Sequence, residues 1–245
     1  MKQLDELTTE QRNPRTVNID RVSTFEMMQM FNRENEEVAR AIEPELTHIA
    51  EAVDCITAHM KQGGRLFYIG AGTSGRLGIL DASECPPTYS VAPDRVIGLI
   101  AGGEAAIRNA VENAEDSLML AEEQLKEYRL CEKDVVCGIT ASGRTPYVIG
   151  GLKYARSVQA ATICITNNQD SETGRYSDIA IEAVAGPEPV TGSTRMKAGS
   201  AQKMILNMLS TGTMIQQGRT DGNLMTHLQV TNEKLAARMK RMNLQ

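Results

Sequence analysis

The chain has 245 residues, which is enough for one large α/β domain, or for one domain with helical additions, around a full hydrophobic core. Its net charge is −5 with both signs mixed along the chain, and it contains no tryptophan, so nucleic acid is excluded as the main partner. No apolar run is long enough to cross a membrane, and the polar N-terminus resembles neither a signal peptide nor a transit peptide.

The cysteines and histidines favour a cytoplasmic protein without a metal centre. The five cysteines are odd in number and show no C-x-x-C spacing, which is typical of reduced thiols in the cytosol. The histidines, His48, His59 and His227, lie in segments with a helical period. We interpret them as ordinary helix residues rather than zinc ligands, and we expect no metal.

The first third of the chain is expected to be helical after an irregular start. Residues 1–19 show no regular period, whereas apolar residues recur at helical spacing over 22–60. Pro44 is expected to divide this stretch into two helices, because the residue before a proline avoids the α region. The two glycines at 63–64 end the second helix.

Five short apolar segments beyond residue 64 predict five buried strands. They read RLFYIGAG, RVIGLIAGG, DVVCGITASG, AATICITNN and DIAIEAVAG in chain order. Helical segments at about 74–84, 104–127 and 145–158 separate them, which is the pattern of a parallel sheet with helices on both faces.

After residue 190 the helical period returns. It extends over about 193–218 and again over 223–242. The sequence therefore predicts an α/β fold of three layers, with a five-stranded parallel sheet and helical extensions at both ends. We divide it into an N-terminal helical segment packed on the core (1–62), the core (63–190) and C-terminal helices (191–245).

Two of the predicted strands end in loops suited to an anion. The first loop reads GAGTSGR and the second reads TASGRTPY, and each leads into a helix. Backbone N–H groups, hydroxyl groups and a helix N-terminus together are the donors that a phosphate monoester requires. Ligands of open α/β sheets bind at the carboxyl ends of the strands, so we predict a phosphate site there.

The spacing of Gly70, Gly72 and Gly75 also matches the G-x-G-x-x-G fingerprint of dinucleotide sites. Such a site requires an acidic residue about 20 positions further on, at the end of the second strand. Here that strand ends in LIAGG, without an acid, so the dinucleotide interpretation is disfavoured. That both loops are simple tight turns stays open as the plainer alternative.

The two loops together resemble the paired phosphosugar loops of sugar isomerase (SIS) domains. The stretch at 186–207, GPEPVTGSTRMKAGSAQKMILN, is similar to a signature shared by bacterial N-acetylmuramic acid 6-phosphate etherases and the animal glucokinase regulatory protein. LTTEQRNPRT near the start and DASECPPT at 81–88 resemble the etherase branch in particular. The resemblance covers residues 5 to 240. Members of that family continue with a small helical tail that this sequence does not include, and dimer contacts and full stability are expected to depend on it.

The resemblance implies a reaction without a cofactor. Water replaces D-lactate at C3 of N-acetylmuramic acid 6-phosphate, through elimination of lactate and then hydration, to give N-acetylglucosamine 6-phosphate. It assigns the proton donor to Glu84 in DASE and a second acidic position to Glu115 in NAED. From the residues alone, Glu84 could equally cap a helix that ends at Pro86 and Pro87, and Glu115 could lie on the solvated face of an acidic helix.

The chemistry is consistent with two carboxyl groups. Elimination beside a carbonyl needs a base for the C2 proton and an acid for the leaving ether oxygen, and carboxyl groups in different environments can divide these roles. We assign Glu84 as general acid/base and Glu115 as the second carboxylate; which one takes the C2 proton stays open. A helix over 74–84 would place Glu84 about 15 Å from Ser74. We therefore expect either a bent helix or a site near the subunit interface of a homodimer.

The substrate contacts are also carried over from the family. The phosphate residues implied are Gly72, Thr73, Ser74, Ser142, Gly143 and Thr145. Arg195 and Lys197, in GSTRMKAG, are predicted to meet the lactyl carboxylate or the phosphate, because arginine suits bidentate binding of a carboxylate. A structural ion pair at the start of a helix is an equal alternative for both.

Three other functions were weighed against the etherase interpretation. A phosphosugar sensor without catalytic activity would share the 186–207 signature, but the two glutamates and the small size disfavour it. A sugar-phosphate isomerase would use the same fold without releasing lactate. A DNA-binding regulator would need a basic module, and none precedes the first predicted strand.

Overall fold

A five-stranded parallel sheet forms the centre of the computed structural model, which describes residues 4–227. The strands are β1 (Leu66–Gly70), β2 (Val96–Ile100), β3 (Val135–Thr140), β4 (Ala161–Thr166) and β5 (Ile179–Glu182). Their order in the sheet is β2-β1-β3-β4-β5, and every neighbouring pair is parallel. All five predicted strands and the three-layer α/β class are confirmed.

Helices cover both faces of the sheet. They are α1 (Thr24–Ile42), α2 (Leu46–Lys61), α3 (Gly72–Tyr89), α4 (Ala105–Arg108), α5 (Leu120–Glu127), α6 (Pro146–Ser157) and α7 (Lys197–Gln216). Successive strand residues point to opposite faces, so Leu66 and Tyr68 belong to one hydrophobic cluster and Phe67 and Ile69 to the other. The first cluster includes residues of α1, α2, α3 and α7, and the second includes residues of α5 and α6.

The N-terminal elements follow the sequence pattern closely. Ser23 starts α1 through a reciprocal capping box with Glu26, and the helix gives way to a 3₁₀ turn that contains Pro44 before α2 begins. The predicted division at this proline is confirmed. The stretch expected to be irregular, residues 1–19, contains two short 3₁₀ turns among its described residues, at Leu4–Glu6 and Thr8–Glu10, and a third, Ile19–Arg21, begins at its last residue.

The prediction that α3 ends before its prolines is wrong. The helix continues through Pro86 and Pro87 to Tyr89, and Ser90, in the left-handed conformation, ends it. Tyr89 is buried, and its hydroxyl donates to the Thr211 hydroxyl at 3.1 Å, which anchors the last turn to α7. This tertiary packing outweighs the backbone hydrogen bonds that the two prolines cannot donate.

The prediction of a single helix over 104–127 is also wrong. The segment contains the short helix α4, a 3₁₀ turn at Ala114–Asp116 and then α5. Asn113 adopts a left-handed conformation with φ 61°, which a continuous helix does not allow. The Ser117 hydroxyl then accepts the N–H groups of Met119 and Leu120, so α5 starts as a new helix.

The last part of the chain is only partly described. Helix α7 ends at Gln216, which agrees with the expected end near 218. Most of the helix predicted over 223–242 falls outside the described residues, and at its start Leu224 forms an isolated bridge with Asp221. In the stretch from 4 to 227, no helix has the length and apolar character that a membrane span requires.

Candidate functional site

The two hydroxyl-rich loops lie side by side at the carboxyl edge of the sheet. Strand β1 pairs directly with β3, so the loop before α3 and the loop before α6 meet around one cavity of about 530 Å³. Six of the predicted site residues line this cavity: Gly72, Thr73, Ser74, Ser142, Thr145 and Glu115. The size is typical of a small-molecule site.

The loop after β3 groups three hydroxyls. The Thr140 hydroxyl lies 2.7 Å from that of Thr145 and 3.4 Å from that of Ser142. Thr145 is also the residue immediately before α6, whose first turn begins with Pro146. The cluster therefore lies at a helix N-terminus, where hydroxyls and the helix dipole favour an anion.

Gly143 keeps this loop close to the neighbouring strand connection. Its φ is +72°, and a Cβ atom there would lie 2.5 Å from Cβ of Ser171 and 2.7 Å from Oγ1 of Thr166. The residue is buried and lines an adjacent cavity of about 320 Å³ rather than the 530 Å³ cavity. Atoms of Ser171 and Thr166 therefore occupy the space in which a side chain at position 143 would lie.

The loop after β1 contributes the start of α3. Gly72, Thr73 and Ser74 are the first three residues of this helix, where backbone N–H groups lack partners within the helix. The Ser74 hydroxyl already donates to Gln202 on α7 at 2.8 Å. The anion-binding capacity of this loop therefore lies in its backbone N–H groups and in Thr73.

Carboxylates line the same cavity as the two loops. Glu115 and Asp116 belong to the 3₁₀ turn between β2 and α5, and Glu10 comes from a 3₁₀ turn of the N-terminal segment. Arg76 on α3 braces the stretch that leads to Glu115, because its guanidinium donates to the carbonyl of Ile107 at 2.8 Å. Glu115 thus lies in an exposed turn beside the cavity, not on the acidic helix that the sequence suggested.

Glu84 does not line this cavity. It lies on an exposed position of α3, ten residues after Ser74, which corresponds to about 15 Å along a straight helix. The helix is continuous over this stretch, so no bend brings Glu84 back toward Ser74. Of the two geometries expected for Glu84, the bent helix is not observed.

Lys197 lies in a buried ion pair rather than at the cavity. Its side chain is fully buried, and its ammonium donates to a carboxylate oxygen of Glu34 on α1 at 2.7 Å. Arg195 is exposed and is not among the residues that line the cavity. The alternative interpretation of Lys197, a structural ion pair, therefore matches its observed contacts. In this structure neither Lys197 nor Arg195 lines the cavity between the two loops.

Glu188 explains why the start of α7 is not an anion site. Its carboxylate, which is 1% exposed, accepts the backbone N–H groups of Lys197 at 2.8 Å and Ala198 at 2.9 Å. Burial raises the pKa of Glu188, and the two N–H groups oppose that effect. The 186–207 stretch thus acts mainly as a scaffold, and only Thr194 from it lines the cavity.

Sequence reasoning missed several residues that line the cavity. They are Glu10, Asp116, Thr140, Arg144 and Thr194. Thr140 and Arg144 belong to the TASGRTPY motif, so their positions within that loop were a usable signal. Glu10 had no comparable signal, because it reaches the site through the folding of the N-terminal segment and not through a strand end.

No metal site emerges among the residues that the structure describes. In the range 4–227, no group of three or more histidine, cysteine, aspartate or glutamate side chains is arranged to hold an ion. The groups that line the cavity are hydroxyls, backbone N–H groups, carboxylates and one guanidinium. These are the groups that bind a phosphorylated polyol and move protons on it.

Comparison with known proteins identifies the class that this fold and these loops define. Residues 113–225 match the family model described as SIS domain, and residues 48–156 match the model described as glucokinase regulatory protein N-terminal SIS domain. The chain is 58% identical over 242 residues to N-acetylmuramic acid 6-phosphate etherase of Clostridium botulinum, covering 99% of this chain and 80% of the relative. It is 56% identical over 235 residues to the protein of the same name from Lactobacillus johnsonii, covering 96% and 79%.

The chain is therefore an SIS-domain protein. Within that class it belongs to the N-acetylmuramic acid 6-phosphate etherase family, and the resemblance found in its motifs is confirmed.

Solved structures support the fold independently. Phosphoheptose isomerase from Neisseria gonorrhoeae superimposes with a TM-score of 0.59 at 14% identity, covering 77% of this chain and 97% of that one. Phosphoheptose isomerase from Francisella tularensis gives 0.57 at 17% identity, covering 79% and 100%. At such low identity these likenesses establish the architecture alone.

Proposed function

We propose that the protein cleaves the D-lactyl ether of N-acetylmuramic acid 6-phosphate and yields N-acetylglucosamine 6-phosphate and D-lactate. The observation that carries the proposal is the cavity at the carboxyl edge of the sheet. There, a hydroxyl cluster and two helix N-termini suited to a phosphate adjoin the carboxylates of Glu115 and Asp116. The identity of 56–58% to relatives with that name, over nearly the whole chain, supports the same reaction.

The phosphate would be held between the two loops. Ser142 and Thr145 offer hydroxyls, and the first residues of α3, which line the same cavity, offer N–H groups. All these donors are neutral and fixed by backbone structure, so they bind the charged group without losing much side-chain entropy. Bound in this way, the sugar extends from the loops toward the carboxylates.

The reaction would then proceed in two stages on the open-chain sugar. A carboxylate removes the proton from C2, beside the aldehyde carbon, while a carboxylic acid gives a proton to the ether oxygen at C3, and D-lactate leaves. Water next adds to C3 of the unsaturated aldehyde, and a proton returns to C2. We assign these proton transfers to Glu84 and Glu115.

The position of Glu84 leads us to propose a homodimer. Leu80 lies one turn before Glu84 on the same face of α3, and it is 50% exposed. An exposed leucine beside a carboxylate that is remote from its own cavity fits a helix face covered by a second copy. In that arrangement, Glu84 of each subunit would complete the cavity of the partner.

We further propose that this reaction takes place in the cytoplasm. All five cysteines are free thiols, including the buried Cys85, Cys137 and Cys164. Burial raises the pKa of the Cys137 thiol well above its ordinary value, so this group stays protonated and unreactive. Reduced, inert thiols are typical of a reducing compartment.

The first test is the release of D-lactate from N-acetylmuramic acid 6-phosphate in ¹⁸O-labelled water, followed by mass analysis of the sugar. We expect one lactate for each N-acetylglucosamine 6-phosphate formed, with ¹⁸O at C3, because water enters at the sugar carbon. Unphosphorylated N-acetylmuramic acid is the matched substrate control and should react poorly, since it cannot use the two loops.

Three outcomes would contradict the proposed activity or its mechanism. Tight binding of the phosphorylated sugar without lactate release would indicate a sensor. Interconversion of aldose and ketose phosphates without lactate release would indicate an isomerase. Lactate release with ¹⁸O in the lactate instead of the sugar would leave the activity intact but refute elimination followed by hydration.

A further inference from the structure

The cavity has one cation for a ligand that carries two anionic groups. Among the described residues that line it, Arg144 is the only positively charged side chain, whereas Glu10, Glu115 and Asp116 are acidic. The substrate of the proposed function has a phosphate at C6 and a carboxylate on the lactyl group. Its product keeps the phosphate and has lost the carboxylate.

Arg144 is available to a ligand. It lies in the loop between β3 and α6, is half-buried, and its backbone N–H donates to the Ser142 hydroxyl at 3.4 Å. Its guanidinium forms no hydrogen bond or ion pair with another residue in the described part of the chain. Arg15 and Arg76, in contrast, are engaged with Glu34 and with the carbonyl of Ile107.

The phosphate has a sufficient set of donors without this guanidinium. The hydroxyls of Ser142 and Thr145 each lie within 3.4 Å of the Thr140 hydroxyl, and the N-terminus of α3 lines the same cavity. The lactyl carboxylate has no such cradle. It would instead share the cavity with up to three carboxylates, and like charges at short range in a partly dry site repel strongly.

A guanidinium would offset this repulsion between the lactyl carboxylate and the acidic side chains. Its planar fork matches a carboxylate with two parallel hydrogen bonds, and it keeps its charge at any physiological pH. The Arg144 side chain is long enough to extend away from the hydroxyl cluster, since it also lines the adjacent 320 Å³ cavity. The loop that holds the phosphate can therefore reach the other anionic group of the same ligand.

We propose that Arg144 binds the carboxylate of the departing lactyl group and so determines the preference for lactyl ethers over other 6-phosphosugars. The proposal rests on the proposed function of the cavity. It assigns the role predicted for Arg195 and Lys197 to a residue that the structure places at the cavity itself.

The test compares two ligands that differ only in the lactyl group. Arg144→Gln should lower kcat/KM for N-acetylmuramic acid 6-phosphate by about ten- to hundredfold, the loss typical of a charge-assisted contact. The inhibition constant of N-acetylglucosamine 6-phosphate should not change, because that ligand lacks the carboxylate. Arg144→Lys keeps the charge without the fork and should recover part of the loss.

The matched control is Arg175→Gln, since Arg175 lines only the adjacent cavity. It should leave both constants unchanged. If Arg144→Gln weakens both ligands equally, Arg144 binds the phosphate and the proposal is wrong. If it weakens neither, Arg144 does not touch the ligand, and the proposal is again wrong.

A failure of the proposed function can be distinguished from a failure of the Arg144 proposal. In that case the unaltered protein releases no lactate. Calorimetric titration with the two sugar phosphates still measures whether Arg144→Gln removes a binding advantage of the lactyl compound, so the Arg144 proposal is tested on binding alone.

Discussion

Glu34 organises three polar side chains in the interior of the protein. Its carboxylate, with a side chain that is 2% exposed, accepts from Asn13 at 2.8 Å, from the Lys197 ammonium at 2.7 Å and from Arg15. Hydrogen bonds from Arg15, which contribute most, lower the pKa of Glu34 to about 2, against the desolvation that opposes ionisation. The group joins the N-terminal segment, α1 and the start of α7.

We predict that Glu34→Gln destabilises the protein by about 3 kcal/mol at pH 7, because it removes the carboxylate that is hydrogen-bonded to the fully buried ammonium of Lys197. Urea unfolding of the two proteins measures the difference. The pKa of Glu34 is depressed in the folded state, so its contribution is complete above its ordinary value of 4.5 and declines as pH falls toward 2. The stability gap should therefore shrink as pH falls below about 4.5.

The control for this prediction is Glu37→Gln on the same helix, where the Glu37–Arg40 pair lies at the surface. It should change stability by less than about 1 kcal/mol, the usual range for an exposed ion pair. A Glu34→Gln protein as stable as the original at pH 7 would mean that the buried ammonium finds another partner or loses its proton.

The contrast between Lys197 and the loop hydroxyls shows what the sequence can predict at this scale. Ser142 and Thr145 are two and five positions after Thr140, so one loop motif suffices to place them together. Lys197 and Glu34 are 163 positions apart, and nothing near either residue identifies the other. Their pairing depends on how α1 packs against α7, which a motif does not contain.

At the scale of helices and strands, some elements follow from the local sequence pattern, whereas others depend on tertiary packing. The strands were predictable because each is a short apolar run and most of their residues are buried on both faces of the sheet, as those of β3 are along its whole length. The end of α3 was not predictable from the sequence, because the contact of Tyr89 with Thr211 on α7 stabilises a last turn that the two prolines weaken. The prediction of one helix over 104–127 was wrong for the opposite reason, since local breaks at Asn113 and Ser117 interrupt a periodic pattern.

The N-terminal segment is an element without regular structure that nevertheless forms a wall of the site. Asn168, at the end of β4, fastens it: its side-chain oxygen accepts the N–H of Thr8 at 2.7 Å, and its amide donates to the Thr9 hydroxyl at 3.0 Å and the Ala141 carbonyl at 2.9 Å. Glu10 follows directly and lines the cavity. One buried amide thus connects the segment to the loop that contains Ser142.

We predict that Asn168→Ala releases this segment. The N–H of Thr8 and the hydroxyl of Thr9 lose this partner, and the Ala141 carbonyl loses one of its donors. We therefore expect a loss of about 1–3 kcal/mol in stability and faster amide hydrogen exchange over residues 7–16. Gln11→Ala, at an exposed position of the same segment, is the control and should alter neither. Unchanged exchange over 7–16 in Asn168→Ala would show that other contacts, such as those of Asn13 and Thr16, hold the segment alone.

At the scale of the whole molecule, the two proposed catalytic carboxylates are separated. Glu115 lines the cavity, while Glu84 lies on the exposed face of α3, beside the exposed Leu80. The side of the helix next to Glu84 is fixed, because Asp81, three residues earlier, accepts hydrogen bonds from Asn207 at 2.7 Å and Ser210 at 3.1 Å on α7. Rotation of α3 to turn Glu84 inward would break these contacts. This is why we propose that Glu84 reaches the cavity of a second copy.

This geometry predicts complementation between subunits. Glu84→Gln alone should reduce turnover by at least about a hundredfold, as expected for lost acid–base catalysis. Ser142→Ala with Thr145→Ala should weaken substrate binding. If each site combines the loop of one subunit with Glu84 of the other, a mixed dimer of the two variants contains one intact site, and random mixing should restore about one quarter of the original activity.

The decisive control places all three changes in one chain and mixes it with the unaltered chain. With shared sites, only unaltered dimers are fully active, so about one quarter of the activity is again expected. If Glu84 acted within its own chain, the linked arrangement would keep about one half, and the separated variants would restore nothing. Equal activities from the two arrangements, with a dimeric mass by light scattering, therefore support the shared site. About one half of the activity in the linked arrangement, with none restored by the separated variants, would return Glu84 to its own subunit and require a change in α3 that this structure does not contain.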